Sequence, residues 1–178
     1  MSDQLYDGRR IRVLTLVDNH ARESLALHVG QRVRSMDVIR VLERVVEEHG
    51  LPELIRVDNG PEFISRDLDC WAYWNKVKLD FSRPGKPTDN AFIESFNARF
   101  RLECLNEHWF LSLEDAREKI ESWREDYNNH RLQGSMALAP ASAWQFRKTA
   151  SIGRSRDSGR LSKTDTTQIL FSLAARLN

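Results

Sequence analysis

Arg-Val-Asp-Asn-Gly-Pro-Glu-Phe at residues 56–63 and Asp-Asn-Ala-Phe-Ile-Glu-Ser-Phe at residues 89–96 decide how this chain reads. They carry two carboxylates, Asp58 and Glu94, with 35 residues between them. Residues 54–57 form a short apolar run that predicts a buried strand, and Asn59-Gly60-Pro61 forces a turn directly after Asp58. A carboxylate at the carboxyl end of a strand in an open α/β sheet sits where such sheets bind ligands. Asp-Asn-Gly alone is also a common surface turn, so Asp58 takes its functional meaning from its surroundings.

Glu94 falls on a predicted helix over residues 90–104, capped by Thr88 or Asp89. Phe92, Phe96 and Phe100 recur at i, i+4, i+8 and predict a core-facing stripe. Asn90, Glu94, Asn97 and Arg101 predict a second, polar stripe that faces solvent or a site. Most helical glutamates are simply solvated, but this one shares its face with two amides and an arginine rather than lysine partners. Carboxylates that hold Mg²⁺ or Mn²⁺ need no proximity in sequence, only rigid elements that converge.

Outward from this pair, the chain predicts a three-stranded start. Residues 2–5 form a strand stub, an Asp7-Gly8 turn follows, and residues 11–18 and 24–29 supply two more strands. Helical spacing of Val38, Leu42 and Val45 predicts a helix over 36–49 with Ser35 as its cap, stopped by Gly50 and Pro52. A helix over 62–76, a strand over 77–81 and a Pro/Gly loop over 82–87 lead into the Glu94 helix. Ser112 with Asp115 opens a last long helix, in which Leu113, Ala116, Ile120, Trp123 and Tyr127 share one face. One more helical turn is possible within residues 138–146, and residues 150–159, rich in Ser, Arg and Gly, read as a flexible linker. The layout is α/β, a mixed central sheet flanked by helices.

Composition excludes more than it selects. No apolar run reaches the roughly 18 residues a bilayer span needs, and no signal peptide opens the chain, so the expectation is a cytoplasmic protein with no membrane partner. Two cysteines, Cys70 and Cys104, and five scattered histidines have no zinc-ligand spacing. The net charge of +1 is uninformative, but residues 147–163 hold six Lys/Arg against one Asp, and Arg9, Arg10 and Arg12 cluster near the start. Such patches suit phosphate, although a solvated tail or a charged turn explains each equally well. There is no glycine-rich phosphate loop and no nucleophile elbow.

The two strings, the segment Phe81-Ser-Arg-Pro-Gly-Lys-Pro-Thr-Asp-Asn-Ala-Phe-Ile-Glu-Ser-Phe-Asn97, and residues 117–127 resemble the catalytic core of bacterial insertion-sequence transposases. These are the integrase-like DDE enzymes of insertion-sequence family three, related to retroviral integrases. The resemblance covers residues 1–146, leaving 147–178 as a basic polar tail. It implies an RNase H-like fold whose Asp-Asp-Glu triad binds two Mg²⁺ or Mn²⁺ ions, with Asp58 matching the second aspartate and Glu94 the glutamate. Two metals then support in-line displacement at phosphorus, first by water at an element end and then by the freed 3′-hydroxyl on target DNA. Asn59 and Gly60 would shape the metal loop, and Lys86, Asn90, Asn97 and Arg101 are the implied contacts to DNA. The implied partners are element ends, target DNA, and a second copy or a full-length transposase.

In this family the first catalytic aspartate belongs to an Asp-Phe pair just before the residues matching Met1-Ser2-Asp3, so the chain as given lacks it. Asp3 would lie four residues beyond that position, about 13 Å along the strand and too far to share its metal. Asp3 and Asp18 are therefore expected to be structural. The corresponding expectation is an N-terminally truncated core, with the sheet neighbours of strand one left unpaired. The alternative to an active transposase core is an inactive fragment that only binds DNA or an intact transposase.

Overall fold

The computed structural model describes residues 1–82, 91–135 and 168–172. The first three strands, β1 (Ser2–Gln4), β2 (Arg10–Asp18) and β3 (Ser24–Gly30), form the expected antiparallel meander. The β1–β2 turn closes through Gly8, whose φ of 84° is a left-handed value that glycine adopts without strain. At the β2–β3 turn, Asp18 accepts hydrogen bonds from the His20 and Ala21 amides at 2.6 and 3.0 Å. Its buried carboxylate thus serves the turn.

Helix α1 (Ser35–His49) starts one residue earlier than the sequence suggests: Arg34, not Ser35, is the cap residue, and its amide donates to Asp37 Oδ2 at 2.9 Å. Strand β4 (Leu54–Val57) runs parallel to β5 (Lys78–Phe81), with α2 (Arg66–Asn75) as the crossover. Helix α2 begins later than residue 62 because residues 60–64 form a turn, and Ser65 supplies the cap by accepting the Leu68 amide at 3.2 Å. Helix α3 (Ala91–Phe100) is continued by a π-helical turn (Arg101–Leu105), so the predicted 90–104 helix is present but changes its winding after Phe100. Helix α4 (Leu113–Ser135) opens on the predicted box: Ser112 Oγ accepts the Asp115 amide and Asp115 Oδ2 accepts the Leu111 amide.

Strand alternation sorts the apolar side chains onto two faces. Leu14 and Leu16 of β2 join Ile55 and Val57 of β4 under α1 and α2, with Phe63 and Leu68. Ile11, Val13 and Val17 of β2 lie on the other face, under Ile93, Phe96 and Phe100 of α3 and Ala116, Ile120 and Tyr127 of α4. Rings knit the second core together: Phe96 meets Tyr127 edge-on at 5.1 Å between centroids, and Phe100 meets Trp123 at 4.9 Å. The aromatic stripe of α3 is therefore core as expected, except that Phe92 is only half-buried beneath the Arg22 guanidinium, 4.1 Å from its ring.

Within residues 147–178, which the sequence reads as a basic polar tail, β6 (Gln168–Ser172) is a strand of the main sheet. The sheet order is β1-β2-β6-β4-β5 with β3 on the far side of β2, so β6 lies between β2 and β4, antiparallel to the first and parallel to the second. The neighbours of strand one are not left unpaired, since β6 pairs with both of them. The physical reason is legible afterwards: Gln-Ile-Leu-Phe-Ser is the continuous apolar type of strand that interior positions of a sheet select. The predicted 83–87 part of the loop, the helix cap at 88–89, the turn within 138–146 and the linker at 150–159 lie outside the described residues.

Candidate active site

Asp58 follows the last residue of β4 and is partly buried. Ile55 and Val57 point into the α1/α2 core, so strand alternation directs Asp58 toward the opposite face, the one covered by α3. The loop that carries it is tied to the end of β5. Asn59 Nδ2 donates to the Ser82 carbonyl at 2.8 Å, and Ser82 N–H and Oγ–H both donate to the Val57 carbonyl, at 3.0 and 3.2 Å. Beyond it, the Phe63 and Ile64 amides both donate to the Gly60 carbonyl at 3.0 Å, and the fully buried Phe63 ring anchors the turn in the core. Asn59 and Gly60 thus shape this loop, through a side-chain bond to β5 and a tight turn respectively.

Glu62 was not visible as a site residue in the sequence, and the structure gives it a conspicuous position. The residue is only 6% exposed, and its carboxylate folds back over Gly60, where an added Cβ would meet it. The signal available was its place four residues after Asp58 in the same loop. Both carboxylates act on the Met1 ammonium. Burial is the main cause that lowers the pKa of that amine to about 5; the Arg101 charge lowers it further, and the Asp58 and Glu62 charges oppose the shift. Met1, Arg101, Asp58 and Glu62 therefore share one electrostatic neighbourhood.

Glu94 lies in the first turn of α3 and is exposed. Its helix is fixed from below by Ile93, Phe96 and Phe100, so Glu94 is carried on a rigid element at the edge of the face toward which Asp58 points. The other polar-stripe residues divide. Asn97 is buried rather than solvent-facing, because it follows Ile93 by one helical turn, and its Oδ1 has no hydrogen-bond partner among the described residues. Arg101, half-buried, donates from Nη2 to the Ser2 carbonyl at 3.1 Å and so pins the end of β1. Lys86 and Asn90 lie outside the described residues. Asp3 accepts its neighbour Gln4's amide at 2.8 Å and, among the described residues, joins no cluster of three ligand-type side chains with Asp58.

Asp58 and Glu94 offer hard oxygen donors on two rigid elements, which suits Mg²⁺ or Mn²⁺; such ions need only one or two protein carboxylates when water and substrate phosphate complete the shell. Among the described residues no three His, Cys, Asp or Glu side chains converge. The described donor set fits a metal shared with substrate, not an all-protein cage.

A mixed sheet with a carboxylate at the end of a parallel strand and a second on a helix of the other face is the layout of an RNase H-like, integrase-type core. The integrase core domain family matches residues 3–87 and, through a second description of the same core, residues 75–140. The chain is 47% identical over 150 residues to the uncharacterized 31.7 kDa protein of insertion element IS407 from Burkholderia multivorans, covering 83% of this chain and 54% of that protein. It is 44% identical over 138 residues to the corresponding 39.2 kDa protein of IS476 from Xanthomonas euvesicatoria, covering 78% of this chain and 40% of that one. The simian T-cell lymphotropic virus intasome, solved with the PP2A regulatory subunit B56 gamma, shares the fold at a TM-score of 0.53 and 14% identity, over 93% of this chain and 58% of that one. The chain belongs to the integrase-core family, in its bacterial insertion-sequence, family-three transposase branch. It spans about half the length of the first relative and two fifths of the second.

Proposed function

We propose that this chain is the catalytic core of an insertion-sequence transposase that cleaves phosphodiester bonds at element ends and joins the freed 3′-hydroxyl to target DNA. The reading is supported by Asp58 at the carboxyl end of β4, turned by strand alternation away from the α1/α2 core, and by Glu94 on α3, in a chain that matches the integrase core domain. Asp58 and Glu94 would hold Mg²⁺ or Mn²⁺, which when bound activates an attacking oxygen and stabilises the leaving one. Asp58 is positioned by the Asn59–Ser82 and Ser82–Val57 hydrogen bonds, and Glu94 by the ring cluster beneath α3. Lys86, Asn90 and Arg101 are the proposed DNA contacts, with one Arg101 guanidinium nitrogen already serving Ser2. Asn97, buried beside Ile93, is proposed to act only by supporting the α3 face from below. The protein would work on DNA in the bacterial cytoplasm as a homo-oligomer or paired with a full-length transposase; no helix of the described residues is long and apolar enough to cross a membrane.

The test is metal-dependent nicking and joining of labelled element-end DNA. Asp58→Ala and Glu94→Ala should each abolish both reactions while the circular dichroism spectrum stays unchanged. Activity that survives both substitutions would overturn the assignment.

A second reading is favoured by one observation, the absence of any three-carboxylate cluster among the described residues. In that reading the chain binds DNA or an intact transposase without catalysis. Salt-dependent DNA binding with no cleavage in Mg²⁺ or Mn²⁺ would support it.

A further inference from the structure

The β1–β2 hairpin turns a row of arginines outward at the end of the sheet where β4 delivers Asp58. The ladders set Ser2 and Gly30 on either side of Arg12, and Gln4 beside Arg10. Register partners share a face, and alternation from Leu14 and Leu16 puts this row on the α1 side of the sheet, beyond the α1/α2 core. Arg10 and Arg12 are both exposed there. Gly30 shapes the corner of the row. A Cβ on it would come within 2.9 Å of the Arg32 carbonyl, so the chain folds back over this face and brings the backbone of Arg32, also exposed, beside Arg12.

Charge on this face is one-sided. Among the described residues, the side chains of Arg10, Arg12 and Arg32 make no hydrogen bond and no ion pair. Arginines close to them in sequence are engaged, Arg9 with Asp7 at 2.7 Å and Arg40 with Asp37 at 3.1 Å. The row's neighbours Ser2, Gln4 and Gly30 bring no carboxylate, and Asp3 alternates to the other face, where its charge reaches buried Cys104. Arg10 and Arg12, one pleat apart on the same strand, hold like charges about 7 Å from each other. That arrangement costs Coulomb energy unless anions join it, and a polyanion with closely repeated charges serves both guanidinium groups at once.

The row is separate from the candidate active site. Thr15 pairs with Ser172 and Arg56 with Leu170, so Asp58 stands level with Thr15 across β6. Arg12 lies about 10 Å further toward the same end of the sheet, on the face opposite to Asp58. We propose that Arg10 and Arg12, with Arg32 at their corner, form a second DNA-backbone surface that holds duplex DNA away from the scissile bond. Such contacts position a duplex without reading its sequence, which suits a row of bare guanidinium groups among small and polar neighbours. The choice of DNA as the polyanion rests on the transposase reading; the surface itself rests on the register and the charge.

Two measurements on the full chain test it. The first is fluorescence anisotropy with a labelled duplex in EDTA over a series of salt concentrations, where no cleavage occurs. Arg10→Gln/Arg12→Gln should weaken binding and lower the slope of log K against log salt by about 1.8, the loss of two phosphate contacts. Lys76→Gln/Lys78→Gln removes the same charge at β5, the other end of the strand order, and should leave the slope unchanged. An unchanged slope in the arginine variant, an equal loss in the lysine variant, or no binding by the unmodified chain at low salt would overturn the proposal. So would arginine-dependent binding to anionic phospholipid vesicles with none to the duplex. The second measurement needs no variant: saturating duplex should slow phenylglyoxal modification of Arg10 and Arg12, mapped by mass spectrometry, and equal rates with and without DNA would sink the idea. Nicking in Mg²⁺ by a chain whose binding ignores these arginines would reject this surface alone. Arginine-dependent binding by a chain that never nicks would support the surface and reject the catalytic reading alone.

Discussion

Arg56 and Asp80 stand opposite each other in the parallel β4–β5 ladder and are joined twice at one carboxylate oxygen, from Arg56 Nε at 2.9 Å and Nη2 at 2.8 Å. The pair fixes the register of β4 two residues before Asp58, so a structural ion pair and a candidate catalytic carboxylate share one strand end. Arg56→Met should destabilise the fold by only about 0.5–1 kcal/mol, since the pair is partly exposed and such cross-strand pairs contribute on that scale. Urea denaturation of Arg56→Met, Asp80→Asn and the double variant checks this; a coupling energy near zero would show that the pair does not hold the register.

Gly60→Ala tests the turn after Asp58. The new methyl would displace the Glu62 carboxylate, the far end of a flexible side chain that can swing aside, so the variant should lose no more than about 1 kcal/mol. Glu62→Ala in the same chain should recover most of the loss, because it removes the displaced group. Thermal melts of the two single variants and the double variant read the coupling directly.

His28 on β3 gives the fold an acid-side weakness. Burial lowers its pKa below the ordinary 6.5; Asp37 opposes that shift, while Arg117, Arg44 and Arg40 reinforce it. The unfolded chain therefore takes up a proton near pH 6.5 while the folded chain still refuses it. Stability from this group is complete above about pH 6.5 and is lost as pH falls through the lower folded-state value. His28→Gln should flatten stability against pH in that window, as followed by chemical denaturation at closely spaced pH values.

Ser172→Asp tests the geometry beside Asp58. Leu54 pairs with Gln168 and Arg56 with Leu170, and two further steps bring Asp58 level with Ser172 on the neighbouring strand. A carboxylate introduced there should tighten Mn²⁺ binding at least about tenfold, since charge count in the ligand set tunes affinity over such ranges. Without metal the same variant should be less stable, because two carboxylates would then repel each other. Calorimetric titration with Mn²⁺, with Ser172→Asn as the uncharged control, separates the two effects.

Much of this protein was determined locally. The meander, the Asp7-Gly8 turn, the α1 pattern ending at Gly50, the Ser112–Asp115 box and the Phe96/Phe100 core stripe follow from side-chain periodicity and turn chemistry within a few residues. The pairing of Asp58 with Glu94 as candidates was likewise visible, because each sits in a short and specific string.

What tertiary structure alone decided involves contacts between distant segments. Asn97 belongs to a polar stripe that reads as facing solvent or a site, yet one turn from Ile93 it is buried. Glu62 acquires its role only when the loop folds it over Gly60. The largest difference is β6. Gln168–Ser172 is a short apolar run whose period distinguishes neither strand from helix, and nothing near it names a partner. Its place is set by the edges of β2 and β4 with which it pairs, more than 100 residues earlier, and only a folded sheet brings those two edges together.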